Sequence, residues 1–303
     1  MNLNVNLKRD IPSGGYFDFK EYNKKIFKET MDFIKNSDDN CLKADILNSI
    51  EHQQMIPDDV QLLKAMPVVN YNGIHQVTVE ATDTIDAALR YYNKAKAVIL
   101  NFASWTTPGG MVWQGSGAQE ESICRQTTLY PCISDLKMKK QFYNRHKSNY
   151  NTLGNNDIIY TPGVDILRFG PKGDESSLTP PHEFINPGEY GYPKVDVITC
   201  AAPNLRPYDP NDKHYNGKTI SESQIFSLMY NRARAIITVA TAMGDEILIT
   251  GAFGCGVFKN PPYVVARAWK KALYDTQSPF KKVIYAIPDH NSDNYKAFAE
   301  TVF

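Results

Sequence analysis

Two adjacent carboxylates, Glu120 and Glu121, follow a glycine-rich run, and residues of these types at this spacing can do proton-transfer chemistry beside a bound ligand. The stretch that holds them, residues 101–132, reads NFASWTTPGGMVWQGSGAQEESICRQTTLYPC. Glycines at Gly109 and Gly110 let backbone N–H groups come closer to a ligand than any Cβ permits. Gln119, Glu120 and Glu121 open a helix that Pro131 is expected to stop. An apolar strand, Ala97-Val98-Ile99-Leu100, must hold this stretch in place, because the carboxyl end of a buried strand is a rigid platform. Taken alone, an acidic pair in a first helical turn also reads as a complement to the helix dipole.

A second strand-then-glycine passage repeats the design. Glu246-Ile247-Leu248-Ile249-Thr250 runs into Gly251-Ala252-Phe253-Gly254-Cys255-Gly256-Val257-Phe258-Lys259-Asn260 and then Pro261-Pro262. Asn260 suits an N-cap and Pro261 a first helical position, so backbone amides meet a helix N-terminus there and form an anion site. Two such loops predict one cleft at the carboxyl ends of neighbouring strands, sized for a phosphate-bearing ligand. The competing reading is that the glycines only make tight turns and close helix packing. Neither loop has the spacing of a P-loop or of a dinucleotide-binding fingerprint.

The remaining elements form an alternating α/β pattern. Phe19 to Lys35 places Tyr22, Ile26, Met31 and Ile34 at helical spacing, and residues 36–67 read as a polar connector with room for a short helix. A strand at 76–80, a helix across 82–91 and the strand at 97–101 make a βαβ unit with a right-handed crossover. Residues 134–150 read as helix or loop carrying surface charge. Two short strands, 158–160 and 164–169, are separated by a Thr161-Pro162-Gly163 turn. Long loops are expected at 170–193 and 205–220, with a strand at 194–199 between them. Residues 223–243 give a long helix burying Ile225, Leu228, Met229, Ile236 and Val239, closed by Gly244. A helix with Val265, Ala268, Trp269 and Leu273 on its buried face, a strand at 282–287 and a helix at 292–301 complete the chain.

Composition narrows the function class. The chain has 303 residues, 42% hydrophobic and 22% charged, enough to bury a large core. With 33 basic against 33 acidic residues it has no basic field of the kind that draws duplex nucleic acid or anionic membrane. No apolar run reaches membrane-spanning length, so a soluble, intracellular, monomeric protein is expected, cytoplasmic in the first instance. The five cysteines and six histidines are scattered, without zinc-ligand spacing, so neither a metal nor a cofactor is expected.

The run Asn101-Phe102-Ala103-Ser104, Pro108-Gly109-Gly110, Gln119-Glu120-Glu121 and Cys124-Arg125 resembles the signature of the bacterial-type poly(ADP-ribose) glycohydrolases. The family pattern is three glycines, a spacer of about six to eight residues and Gln-Glu-Glu. Here the spacer is Val112 to Ala118. Gly254-Cys255-Gly256-Val257-Phe258 before Asn260-Pro261, the N-terminal helix and Ala202-Pro203-Asn204 extend the likeness along nearly the whole chain. The resemblance implies a three-layer α/β/α macrodomain-like fold with a mixed central sheet: an N-terminal helical extension over 1–66 and the catalytic domain over 67–303. It also implies a hydrolase that releases ADP-ribose from poly(ADP-ribose), free or on modified proteins.

By that resemblance Glu121 acts as general acid and base at the ribose–ribose bond, while Glu120 holds ribose hydroxyls and Gln119 orients the pair. Helix geometry agrees with a single acid, because adjacent residues point about 100° apart and cannot face each other across a bond. Asn101 is expected at the ribose. Gly109, Gly110, Gly254, Cys255, Gly256 and Val257 would offer amides to the diphosphate, and Phe258 would pack on the adenine side. Arg125 is expected to be a structural charge. Met111 stands where the family has its third glycine, a departure that implies a shifted loop and, as the alternative function, an ADP-ribose reader without turnover.

Overall fold

The computed structural model describes residues 18–66, 76–170, 183–189, 191–207, 219–277 and 280–302. One seven-stranded sheet organises them: β1 (Gln54–Ile56), β2 (Gln76–Glu80), β3 (Ala97–Phe102), β4 (Ile158–Asp165), β5 (Lys194–Cys200), β6 (Ile247–Thr250) and β7 (Lys282–Ala286). The spatial order is β1-β4-β5-β3-β6-β7-β2. From β5 to β2 every neighbouring pair is parallel, whereas β4 runs antiparallel to both β5 and β1. The sheet is therefore mixed. Val98, Ile99 and Leu100 are all fully buried, as a central parallel strand covered on both faces requires.

The helices are α1 (Phe19–Asn36), α2 (Asn40–His52), α3 (Val60–Ala65), α4 (Thr84–Leu89), α5 (Gln119–Gln126), α6 (Leu129–Ile133), α7 (Leu136–Met138), α8 (Asn144–Ser148), α9 (Glu222–Ala242), α10 (Pro262–Asp275) and α11 (Asp293–Thr301), with a π-helical turn at Lys139–Tyr143. Val98 and Leu100 share a core with Ile236, Val265 and Trp269 of α9 and α10. Ile99 packs on the opposite face with Phe27, Ile85 and Ile123 of α1, α4 and α5. Helix, sheet, helix is the layering expected from the sequence.

Several elements differ from that expectation. Residues 36–67 are not a connector: Asp39 caps α2 by accepting the amides of Cys41 and Leu42, and β1 then adds to the sheet beyond β4. The N-terminal segment thus shares the sheet of the rest of the chain. Residues 134–150 are helical and bury Met138, Phe142 and Tyr143, because a few large side chains cover the face that many small ones would otherwise need. Residues 158–165 form one strand; Thr161-Pro162-Gly163 is a bulge in it, and the Gly163 amide donates to Asp196 at 2.7 Å. α5 ends before Pro131, at Gln126, because Thr127 pairs with Ile166; Pro131 lies in the first turn of α6, where its missing N–H costs nothing.

β2 is parallel to β3, but β6 and β7 lie between them. Gly244 closes α9 with φ of 80° while the Asp245 amide reaches the Ala240 carbonyl, a Schellman end. Residues 171–182 and 208–218, within the two expected long loops, lie outside the described residues. Among the described residues no helix is long and apolar enough to cross a membrane.

Candidate active site

The carboxyl end of β3 carries the site. Gln119 bridges that strand end to the first turn of α5: its Oε1 accepts the Phe102 amide at 2.9 Å, while its Nε2 donates to the Leu100 carbonyl at 2.8 Å and to Thr84 Oγ1 at 3.3 Å. With the helix start tied to the strand, Glu120 and Glu121 are fixed relative to the sheet. Gln119 orients the pair by gripping backbone.

The two carboxylates sit in different surroundings. Glu120 is 3% exposed, and three donors enclose it: the Ser104 amide at 2.7 Å, the Gly109 amide at 3.2 Å and Asn101 Nδ2 at 3.4 Å. Burial, reinforced by the neighbouring Glu121 charge, holds its carboxyl well above the usual carboxylate range in spite of those donors. Glu121 is 6% exposed and takes one bond, from the Met111 amide to Oε1 at 2.9 Å. Its Oε2 has no donor among the described residues.

The first glycine loop serves these acids. Gly109 and Gly110 have φ of 68° and 57°, which glycine adopts without strain. A Cβ on Gly110 would lie 2.5 Å from Glu121 Oε1 and 3.1 Å from Glu120 Oε2, so the turn can wrap the acids only without a side chain. The Gly109 amide goes to Glu120 and the Gly110 amide to the Thr107 carbonyl, so neither is free for a diphosphate, contrary to the sequence expectation. Asn101 stands near the carboxyl end of β3. It is fully buried, its Nδ2 donates to Thr199 Oγ1 at 3.2 Å as well as to Glu120, and it orders the carboxylate from behind.

Met111 follows these glycines directly. Its φ of −103° suits any L-residue, its amide holds Glu121, and its side chain is 55% exposed. This backbone conformation does not require a glycine. Helix α1 braces the loop from outside: Asn23 Nδ2 donates to the Gly115 carbonyl at 3.1 Å, and a Cβ on Gly115 would come within 2.1 Å of the Lys20 carbonyl oxygen. Asn23 lies on the buried face of α1 for this reason and Thr30 because its Oγ1 donates to the Arg125 carbonyl at 2.8 Å; Ile26 and Phe27 share that face, while Tyr22, Met31 and Ile34 are only partly buried. Arg125 is buried beneath the loop and donates to the Ser116 carbonyl at 2.6 Å, and burial lowers its guanidinium from the ordinary value.

The second loop has the opposite economy. The Cys255 amide is spent on the Ala252 carbonyl, so Cys255 has no amide to offer. Among the described residues the amides of Gly256, Val257 and Phe258 meet no acceptor. A Cβ at Gly256 would touch nothing within 4 Å, and Val257 is 53% exposed, so these amides line an open surface. Phe258 is half-buried against the core, and its carbonyl accepts the Leu205 amide at 2.9 Å.

Asn260 is not the N-cap of α10. Pro261 holds that place, and the buried Asn260 donates from Nδ2 to the Pro203 carbonyl at 2.7 Å and to the Gly254 carbonyl at 3.0 Å. It locks the loop to the end of β5. Sequence reasoning missed this strut, along with Ser104 and Asn23. Only the asparagine's position at the end of the glycine loop hinted at the first. The Phe102 and Phe253 rings, 5.3 Å apart, bridge the feet of the two loops.

Residues 24–169 match the family model described as microbial-type PARG, catalytic domain. The poly(ADP-ribose) glycohydrolase of Thermomonospora curvata superposes with a TM-score of 0.73 at 24% identity, over 93% of this chain and 99% of that one. The same enzyme bound to the inhibitor ADP-HPD gives 0.71, over 92% and 99%. The poly(ADP-ribose) glycohydrolase of Deinococcus radiodurans in complex with ADP-ribose gives 0.69 at 27% identity, over 85% of this chain and 96% of that one. No curated protein matches the chain.

Proposed function

We infer that this chain, which belongs to the microbial-type poly(ADP-ribose) glycohydrolase family, is a glycosidase that cleaves the ribose–ribose bond of poly(ADP-ribose), with Glu121 as its proton-transfer residue. The observation that carries the assignment of Glu121 is the asymmetry of the two acids. Glu120 is enclosed by three donors, whereas Glu121 keeps Oε2 open. The ADP-ribose held by the Deinococcus radiodurans relative supports the ligand.

In this reading the diphosphate rests on the amides of Gly256, Val257 and Phe258, where backbone N–H groups bind an anion at low entropic cost. The terminal ribose then lies against Glu121. In its acid form Glu121 donates a proton to the leaving ribose oxygen as the C1–O bond breaks through an oxocarbenium-like state. The resulting carboxylate takes a proton from the water that attacks C1, which restores the acid and consumes one water per turnover. The Met111 amide fixes Oε1 so that Oε2 makes both transfers. Glu120, Gln119 and Asn101 are positioning residues that hold α5 and the loop at Ser104 and Gly109 in register. Because Met111 keeps its amide on Glu121 and directs its side chain outward, it is no obstacle to turnover.

Glu121→Gln tests the assignment. The variant is expected to release no ADP-ribose from automodified poly(ADP-ribose) while binding ADP-ribose in calorimetry as wild type does. Wild-type turnover in that variant removes Glu121 from the role.

A further inference from the structure

Beside the open carboxylate, the first loop carries two large exposed side chains that the reading above does not use. Met111 is 55% exposed and Trp113 53% exposed, and they flank Val112, which is fully buried and anchors the turn between them. Met111 is tied to the chemistry directly, since its own amide holds Glu121. Trp113 is held in place: its Nε1 donates to Tyr130 Oη at 2.8 Å, and its ring stands edge-on to Phe27 at 4.7 Å and to Tyr130 at 5.9 Å. Tyr130 also packs against Gly109, where a Cβ would lie 2.8 Å from its ring. A half-exposed indole fixed by three such contacts is built to present a face.

The occupant follows from the reaction. The anomeric carbon lies at Glu121, and the diphosphate side of the substrate runs from there to the second loop. On that reading the first loop, whose Met111 amide holds Glu121 and which carries Trp113, is the one left for the outgoing group. In poly(ADP-ribose) that leaving group is the ribose of a further adenosine, so an adenine comes with it. Indole and thioether surfaces are polarisable and sequence-tolerant partners for a nucleobase.

We propose that Met111 and Trp113 form a leaving-group subsite that recognises the nucleoside on the far side of the scissile bond and so favours polymer over linkages to a protein side chain. The proposal rests on the glycohydrolase reading for the direction of the substrate, yet it can be tested without turnover. Trp113 is the exposed tryptophan, since Trp105 is 4% exposed and Trp269 fully buried, so a change in emission that Trp113→Leu removes reports on the site.

In the Glu121→Gln variant, a two-unit ADP-ribose oligomer is expected to quench that emission, while ADP-ribose alone leaves it unchanged. Adding Trp113→Leu is expected to abolish the quench and to weaken oligomer binding about tenfold with ADP-ribose affinity unchanged, and Trp113→Tyr to restore most of the affinity. In the active enzyme Trp113→Leu lowers the ratio of kcat/KM for polymer to that for a serine-linked ADP-ribosyl peptide by a similar factor. Equal quenching by both ligands, or equal loss of affinity for both, overturns the subsite. A wild-type protein that binds the oligomer through Trp113 but hydrolyses nothing overturns the glycohydrolase reading and leaves the subsite standing.

Discussion

Replacing Gly110 by alanine tests whether the first loop exists to place the acids. The residue has φ of 57°, a conformation that costs an L-residue about 1–2 kcal/mol. Its new Cβ would lie 2.5 Å from Glu121 Oε1 and 3.1 Å from Glu120 Oε2. Ordinary contact begins nearer 3.4 Å, so the Glu121 carboxylate must retreat by close to 1 Å or the loop must lift. Misplacement of a reacting group by about 1 Å costs on the order of 100-fold in rate. The expected outcome is a kcat for ADP-ribose release down roughly 100-fold, with ADP-ribose affinity by calorimetry nearly unchanged because the proposed diphosphate amides belong to the other loop. The melting temperature should drop by only a few degrees. Gly188→Ala, where a Cβ meets nothing within 4 Å, is the control for handling a glycine anywhere in the chain. A Gly110→Ala protein with wild-type kcat refutes the claim that close backbone approach sets the carboxylate. A variant that loses affinity and rate together also refutes it, since that places the diphosphate on this loop.

Two further outcomes probe the supports. Gly115→Ala combines φ of 78° with a Cβ 2.1 Å from the Lys20 carbonyl oxygen, so α1 must lift off the loop; urea unfolding should show a loss of about 2–4 kcal/mol, and an unchanged midpoint means α1 is not a brace. Asp165 is fully buried, with Lys194 Nζ 3.6 Å away and, among the described residues, no hydrogen bond to either carboxylate oxygen, and burial pushes its carboxyl up to about 7. A folded-state value raised above the unfolded one makes the native state bind the extra proton. The stability from Asp165 is thus full below about pH 4 and lost as pH rises to about 7, up to about 4 kcal/mol in all. Asp165→Asn should flatten that decline in unfolding measured at pH 5 and pH 8, and an unchanged pH slope rejects the assignment.

The strands and the long helices were legible because their patterns match their burial: Val98 to Leu100 is apolar throughout and lies at the centre of the sheet, and Ile225, Met229, Ile236 and Val239 repeat at helical spacing and are buried. The segment over 36–67 was not, since α2 buries only Leu42, Ile46 and Ser49 and is stabilised by contacts distant in sequence, such as Ser49 Oγ to the Gly163 carbonyl. Within the site, the glycine and acid positions could be read as a pattern, but who holds whom could not. Asn101 and Asn260 have the side chain expected of a ligand contact or a cap, and both are spent on the fold itself. Which buried polar group meets which depends on strand order, and strand order is not a local property of the sequence.

That distinction also explains how the loop accommodates Met111. A glycine-rich loop reads from sequence as a ligand cradle, yet three amides of the first loop are committed within it, Gly109 to Glu120, Gly110 to Thr107 and Met111 to Glu121. The second loop leaves Gly256, Val257 and Phe258 uncommitted. On the proposed reading, chemistry and anion binding are divided between two loops of similar composition. The first demands glycine only where a carboxylate would meet a Cβ, which is Gly110, or where a ring or a neighbouring backbone would, which are Gly109 and Gly115. At 111 the backbone has turned back to φ of −103° and the side chain leaves the loop, so this position is free to carry whatever the outgoing part of the substrate favours. A constraint released two residues before Trp113 is what allows one rigid turn to hold an acid on its inner side and, on the subsite proposal, a recognition surface on its outer side.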